Sequence, residues 1–207
     1  GIDAFAGLAR AFWQAEPPWR GDLATIVDRL PGFIDEAHRL AAVPYLGDVA
    51  RLEAALARAE AAADAQGSAT SQLQSLCLLA QHDASALVID LAPGAAVICS
   101  SWPVATIWRA HRPAAGDDEG MRLAREAVAA RRGEIVFAWR CEWAARIDVV
   151  DVATAEFLQA AIDGRALSEA HALALRRDAG WSFERWLSRA IEARWHAGAR
   201  RISAPGD

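Results

Sequence analysis

The sequence contains no lysine, so its 22 basic residues are all arginine, and 27 acidic residues outnumber them for a net charge of -5. Non-specific binding to nucleic acid needs clustered positive charge that displaces counterions from phosphates. The acidic balance therefore argues against a general DNA-binding or RNA-binding protein. It leaves room for a local arginine patch, because net charge does not fix how the charges are distributed.

Cysteine is scarce, with Cys77, Cys99 and Cys141 far apart in the chain and each in an apolar, strand-like context. Neither a CxxC pair nor a Cys/His spacing typical of zinc is present. We expect all three to be reduced core residues. An apolar run of membrane-spanning length and a secretory leader are also lacking, which predicts a cytoplasmic protein that does not contact a membrane.

Motifs that carry catalysis or bind nucleotides are missing as well. The sequence has no GxSxG, GxxxxGK[ST] or GxGxxG, and its five histidines never take the HExxH or i, i+4 spacing that holds a metal. We therefore expect no catalytic residues, no metal and no cofactor. An enzyme is the least favoured class.

From Ile2 to about Ala65 the pattern is helical, with breaks at prolines. A first helix carrying Phe5, Leu8, Phe12 and Trp13 is predicted to stop before Pro17-Pro18. A second helix is capped by Asp22, and further helices open at Pro31 and Pro44 because proline fits the first helical turn. The last of these is predicted to run to Ala63.

The segment Pro44–Glu53 combines an apolar stripe with a charged edge. The stripe recurs at helical spacing and comprises Tyr45, Leu46, Val49, Leu52 and Leu56. Asp48, Arg51 and Glu53 fall outside it and are close enough in sequence to pair with neighbouring side chains.

A loss of periodicity at residues 66–71 predicts a linker, and so a helical domain at 1–66 and a mixed α+β domain at 74–207. Six runs after the linker are strand-like, although not all need be strands: Leu76–Ala80, Ala86–Leu91, Ala95–Ser100, Ala105–Ala110, Glu134–Arg140 and Ala144–Val150. The last two form the clearest antiparallel pair. The charged stretch Asp117–Arg132 is predicted to be helical.

The C-terminal part is predicted to hold three helices with readable caps. Asp151 or Thr154 starts the first, which Gly164 ends; Ser168 caps the second; Ser182 caps the third, which runs towards Gly198. A strand pair beside three short helices is compatible with a winged-helix-like module. The predicted fold class is therefore α+β, with an N-terminal helical domain, a small antiparallel sheet and winged-helix-like C-terminal helices.

Nine tryptophans are many for 207 residues. Trp13, Trp186 and Trp195 lie on apolar helical faces and are predicted to be core residues. Other tryptophans lie on or beside strands and close to arginine, a combination common where proteins bind partners. Ordinary packing remains the alternative, and base stacking is disfavoured by the acidic charge. The predicted peptide-binding residues are Trp139, Arg140, Trp143 and Arg146.

Two segments resemble the HvfC/BufC family: Pro44–Glu53, reading PYLGDVARLE, and Ser101–Arg109, reading SWPVATIWR. The likeness extends from about Phe5 to the final helix. It implies an accessory protein of a multinuclear non-heme iron oxidase that modifies cysteines of ribosomally made peptides, with the iron in the oxidase. Such accessory proteins are thought to bind the precursor's leader and present its core, so the pair Glu134–Val150 is predicted to receive an extended leader as an added strand. Residues expected to contact the oxidase are Tyr45, Asp48, Arg51, Glu53, Trp108 and Arg109.

The family's label mentions a DNA-binding domain, which keeps a transcription regulator as the alternative. A recognition helix should expose several basic side chains. The last predicted helix holds Arg185, Arg189 and Arg194, but Glu184 and Glu192 dilute their charge.

Overall fold

The computed structural model describes residues 2–17, 24–64, 69–112 and 118–202. The fold is α+β, as predicted, with two small sheets of two and three strands. The winged-helix arrangement stays a prediction. Among the described residues, no helix combines the length and apolar character needed to cross a bilayer.

Helices account for most of the regular structure. They are α1 Ile2–Ala15, α2 Ala24–Val27, α3 Leu30–Glu36, α4 Leu46–Ala61, α5 Ala69–Ser75, α6 Leu78–Gln81, α7 Val104–Ala110, α8 Asp118–Ala129, α9 Val152–Ile162, α10 Leu167–Arg177 and α11 Phe183–Glu192. The strands are β1 Leu87–Leu91, β2 Ala96–Ser100, β3 Glu134–Cys141, β4 Ala144–Val150 and β5 His196–Arg201.

The chain divides into two compact units, each built from two separate stretches of sequence. The first unit contains Gly1–Arg58 and Ser100–Gly133, and the second contains Ala59–Cys99 and Glu134–Asp207. The boundaries of these units differ from those of the predicted domains 1–66 and 74–207, because residues 100–133 belong to the same unit as the N-terminal helices. Within the predicted linker, residues 65–68 lie outside the described part of the chain.

In the first unit, the helices follow the proline pattern. α1 ends at Ala15, before Pro17 as predicted, and Pro31 occupies the first turn of α3. Pro44 lies in a turn two residues before α4 rather than in its first turn. Asp22, the predicted cap, lies outside the described residues.

The stripe of α4 supplies much of the first unit's core, and residues 100–133 complete it. Leu52 and Leu56 are buried, and so are Val104, Ala105 and Ile107 of α7. The strand predicted at Ala105–Ala110 is therefore wrong, since this run forms α7. The helix predicted within Asp117–Arg132 is confirmed as α8.

The second unit holds both sheets. β3 and β4 form the predicted antiparallel hairpin, in which Trp139 lies opposite Arg146 and Arg140 opposite Ala145. β2 joins β3 on the other side, giving the order β2-β3-β4. β1 pairs with β5, a strand that was not predicted. The strand predicted at Leu76–Ala80 is wrong, because α6 occupies this region.

An aromatic cluster forms the centre of the second unit's core. Phe137 stacks on Trp139 at 5.4 Å between ring centroids, and Trp195 meets both rings edge-on. Phe157 contacts Trp186 at 4.4 Å. Trp186 and Trp195 are buried as predicted, although Trp195 follows the end of α11.

Helix caps in the second unit were predicted with mixed success. Asp151 accepts hydrogen bonds from the backbone N–H and the hydroxyl of Thr154, and Ser182 accepts one from the N–H of Arg185. Both caps are confirmed. Ser168 is not a cap, because α10 begins at Leu167 with Ala166 as its N-cap residue.

Two expectations about buried residues need correction. Trp13 is 50% exposed, because Phe12 rather than Trp13 faces the core on α1. The three cysteines are free, but Cys77 and Cys99 are exposed and Cys141 is only partly buried. Cys77 lies directly before α6 rather than in a strand, whereas Cys99 and Cys141 lie at or near the C-terminal ends of β2 and β3.

Candidate functional site

The β3–β4 hairpin presents two of the four predicted peptide-binding residues. Its two-residue turn consists of Glu142 and Trp143, and Glu142 takes a φ of 58°, as tight hairpins require. Trp143 is 86% exposed at the tip. Arg146 is exposed on β4, the outer strand of its sheet. The hairpin therefore exposes a large aromatic ring at its tip and a cation on its outer strand.

Trp139 and Arg140 are not available at the surface, which corrects their prediction as direct peptide contacts. Trp139 is 4% exposed because its ring packs between Phe137 and Trp195. Arg140 is 8% exposed, and its guanidinium donates to the carboxylate of Asp64. Alternation along β3 turns these two side chains to opposite faces, and both faces are covered at this strand.

A cleft of about 410 Å³ in the second unit adjoins the hairpin turn. Arg140 and Cys141 line it from β3, Glu142 lines it from the hairpin turn, and Arg194 lines it from the segment after α11. Arg194 donates to Glu142 at 2.6 Å. This hydrogen bond, followed by the charge of Glu142, raises the pKa of the Arg194 guanidinium. The cleft thus carries a fixed cation directly beside a thiol.

His196, on β5, lines the same cleft and was missed by the sequence analysis. Both of its ring nitrogens are buried and have no hydrogen-bond partner among the described residues. Burial lowers the pKa of this imidazole below its ordinary value of 6.5. No spacing motif could have revealed it, because its neighbours in the cleft come from distant parts of the chain.

In the first unit, three of the residues predicted to contact the oxidase share one pocket. Tyr45, Glu53 and Trp108 line a pocket of about 400 Å³ with mainly apolar walls. The guanidinium of Arg112 lies 4.2 Å from the ring centroid of Trp108. Glu53 is exposed, whereas the two rings are partly buried.

Asp48 and Arg51 lie outside that pocket's lining and are engaged with each other. Arg51 donates to Asp48 at 2.7 Å and also to Asp35, and Ser100 donates its hydroxyl to Asp48 at 2.6 Å. The hydrogen bond to Asp35 is the main cause of a raised pKa for Arg51. This polar network ties α4 to residue 100. Arg109, the last of the predicted set, is exposed on α7.

The arginines that would make α11 a DNA-recognition helix have partners within the second unit. Arg185 donates to the carbonyl of Gly180, and Arg189 lies 3.7 Å from the carboxylate of Asp148. Arg194 pairs with Glu142 and lies beyond the helix, which ends at Glu192. The two carboxylates offset part of the charge that a phosphate backbone would need, whereas the carbonyl contact leaves the charge of Arg185 in place.

Across the described residues, no three His, Cys, Asp or Glu side chains gather in a way that could hold a metal ion. A comparison of the chain with protein families, with curated proteins and with solved structures returns no match.

Proposed function

We propose that this protein is a non-catalytic, cytoplasmic partner that binds a ribosomally made precursor peptide and a multinuclear non-heme iron oxidase, and that presents the peptide's cysteines for modification. The resemblance of residues 44–53 and 101–109 to the HvfC/BufC family supports this role. The structural observation that carries it is the exposed indole of Trp143 at the tip of the β3–β4 hairpin.

An extended leader peptide would bind beside β4, the outer strand of its sheet. In this mode main-chain hydrogen bonds supply affinity, and side-chain contacts supply selectivity. Trp143 offers a large apolar surface to the peptide, and Arg146 offers a cation. Trp139 and Arg140 would contribute indirectly, because their buried side chains hold β3 in place.

The oxidase would dock on the first unit. Its pocket combines the aromatic rings of Tyr45 and Trp108 with the exposed carboxylate of Glu53. Aromatic residues in pockets often carry a large share of the binding energy between proteins. Asp48 and Arg51 would support this surface through their mutual hydrogen bond.

Peptide binding is tested with the precursor peptide and oxidase encoded beside this chain. The three components should co-elute, and Trp143→Ala should weaken peptide binding about tenfold or more, as for a central aromatic contact. Trp13→Ala is the matched control, since it removes another exposed tryptophan and should leave affinity unchanged. The proposal fails if the purified oxidase modifies the peptide equally well alone.

Docking of the oxidase is tested by reversing one charge. Glu53→Arg should weaken binding of the oxidase, whereas Glu60→Arg, at another exposed position on α4 outside the pocket, should not. Calorimetric titration of each variant with the oxidase measures the difference. Equal effects of the two reversals would contradict this docking surface.

The DNA-binding alternative has weaker support, since Arg185, Arg189 and Arg194 are engaged in contacts within the second unit. Binding to a promoter fragment with a steep salt dependence would favour it. Absence of binding at low salt would exclude it.

A further inference from the structure

The cleft beside the hairpin turn has apolar walls as well as the charged side chains described above. Leu73 of α5 and Ile191 in the last turn of α11 line it, and so do Ala92 and Pro93 between β1 and β2. Leu73 is 47% exposed and Ile191 is 39% exposed. Exposed apolar surface in a concave position is typical of a binding site, whereas single exposed side chains on a convex surface are not.

The charged side chains of the cleft are matched within it. The guanidinium of Arg140 donates to the carboxylate of Asp64, and that of Arg194 donates to Glu142 at 2.6 Å. His196 adds no charge at neutral pH, because burial lowers the pKa of its imidazole. A charged occupant would have to displace one of these partners and lose its own hydration, which is costly. An apolar side chain avoids both costs and covers the aliphatic walls.

The cleft also lies next to the place where a peptide strand added beside β4 would end. The hairpin turn consists of Glu142, which lines the cleft, and Trp143, which is exposed at the tip. Neighbouring strands are about 4.8 Å apart, so a peptide beside β4 runs about 10 Å from β3. An extended chain advances about 3.3 Å per residue, so about three or four residues span this distance.

We propose that the cleft beside the hairpin turn holds an apolar side chain of the precursor peptide, about three or four residues from the peptide residue that packs on Trp143. Leucine, isoleucine and phenylalanine have the required chemistry. The cleft volume of about 410 Å³ leaves ample room for one such side chain. This inference rests on the proposed function, because the occupant belongs to the same peptide. It adds a spacing between two apolar residues as the feature by which the peptide is recognised.

The test measures binding of the fluorescein-labelled precursor peptide encoded beside this chain, by fluorescence anisotropy. Leu73→Ala and Ile191→Ala should each weaken binding about fivefold or more, as expected when one packed aliphatic contact is lost. Leu175→Ala and Ile162→Ala are the matched controls, because these side chains are 36% and 37% exposed in the same unit and do not line the cleft. The controls should leave the affinity unchanged.

An alanine scan of the peptide then locates the side chain that occupies the cleft. Its replacement should weaken binding to the parent chain about fivefold, but binding to Ile191→Ala by less than about twofold, because the contact is already lost there. A second peptide position should show the same behaviour with Trp143→Ala. The two positions should lie about three or four residues apart. Equal losses in the parent chain and in Ile191→Ala at every apolar position would contradict the inference.

The remaining outcomes separate this inference from the proposed function. If Trp143→Ala weakens binding and neither Leu73→Ala nor Ile191→Ala does, the cleft is not part of the peptide site, and the proposed function stands without it. If the parent chain does not bind the peptide at all, both are overturned. If analytical ultracentrifugation shows a dimer that Ile191→Ala dissociates, a second copy of the chain occupies the cleft and the inference is wrong.

Discussion

At the scale of single residues, Gly94 shows how a backbone position can demand glycine for two reasons at once. Its φ is +68°, and a Cβ atom there would lie 2.8 Å from the Cβ of Ala59. Gly164 has a similar φ of +70°, but its Cβ would meet only the end of Arg200 at 3.9 Å. The pair therefore separates backbone strain from steric overlap.

We predict that Gly164→Ala lowers the free energy of unfolding by about 1 kcal/mol, the cost of a left-handed residue. Gly94→Ala should cost about 1–3 kcal/mol more, because overpacking adds to the strain. Urea denaturation of both variants measures the difference. Equal losses would show that the contact with Ala59 relaxes without cost.

A second residue-scale prediction concerns acid stability. The pKa of His196 is lowered by burial, so the folded chain keeps this imidazole neutral while the unfolded chain takes up a proton. The contribution of His196 to the free energy of unfolding is fully present above about pH 6.5, the ordinary pKa of histidine. It falls as the pH drops below that value, until the pH reaches the lowered pKa of the folded state.

We expect His196→Gln to reduce the loss of stability on acidification. The control variant, His171→Gln, should lose as much stability as the parent chain. Denaturant unfolding from neutral to mildly acidic pH provides the measurement. A pH profile that is identical in the parent and in His196→Gln would contradict the role of burial at this residue.

At the scale of elements, Ser182 and Ser168 show that a sequence pattern typical of an N-cap does not always predict one. Ser182 caps α11 by accepting from the N–H of Arg185 at 3.2 Å. Ser168 matches the same sequence pattern but lies inside the first turn of α10, after Ala166. Both are serines near helix starts in one unit, and only one has a capping role.

Ser182→Ala should therefore lower the free energy of unfolding by about 1 kcal/mol, as loss of an N-cap usually does. Ser168→Ala should change it by less than about 0.5 kcal/mol, since no cap bond is lost. Thermal and urea unfolding distinguish the two. A larger loss for Ser168→Ala would mean that α10 starts later than the structure shows.

Four of the six predicted strand-like runs are strands: β1, β2, β3 and β4. Alternation of apolar and polar residues is clear only in β4, and the runs Leu76–Ala80 and Ala105–Ala110 belong to helical regions instead. Ala105–Ala110 is apolar because α7 is buried, and a buried helix of this length cannot be told from a strand by composition. β5, reading HAGARR, has too little apolar or β-branched character to predict a strand.

At the scale of the whole molecule, the two compact units interleave along the sequence. The first unit needs residues 100–133 to complete its core, since Ser100 donates to Asp48 at 2.6 Å and Trp102 meets Tyr45 edge-on at 6.1 Å. A linker pattern reports only local composition, so it could not reveal a unit formed from distant segments.

We predict that residues 1–66 expressed alone lack a stable fold, because the buried side chains of Val104, Ala105 and Ile107 are then missing. A single chain that joins residues 1–58 to 100–133 through a glycine-serine linker should recover helicity and cooperative unfolding. Circular dichroism and proton NMR provide the readout. Cooperative unfolding of the 1–66 fragment would favour the predicted boundary instead.

Part of the candidate site was predictable, namely the hairpin and its tryptophans and arginines. Which of these side chains are exposed could not be predicted, because Trp139 and Trp143 lie in similar local sequence but differ in tertiary contacts. His196 was missed for a related reason, because its neighbours in the cleft include residues of α5 and β3, which lie far from it in the chain.

The sequence alone determined the α+β class, most of the helices, the β3–β4 hairpin and two helix caps, because these follow from local periodicity, proline and hydrogen bonding between near neighbours. Only the tertiary structure decided the grouping of residues 100–133 with the N-terminal helices, the pairing of β1 with β5 and the burial of each tryptophan. These features depend on contacts between residues far apart in the chain, whose free energy no local pattern records.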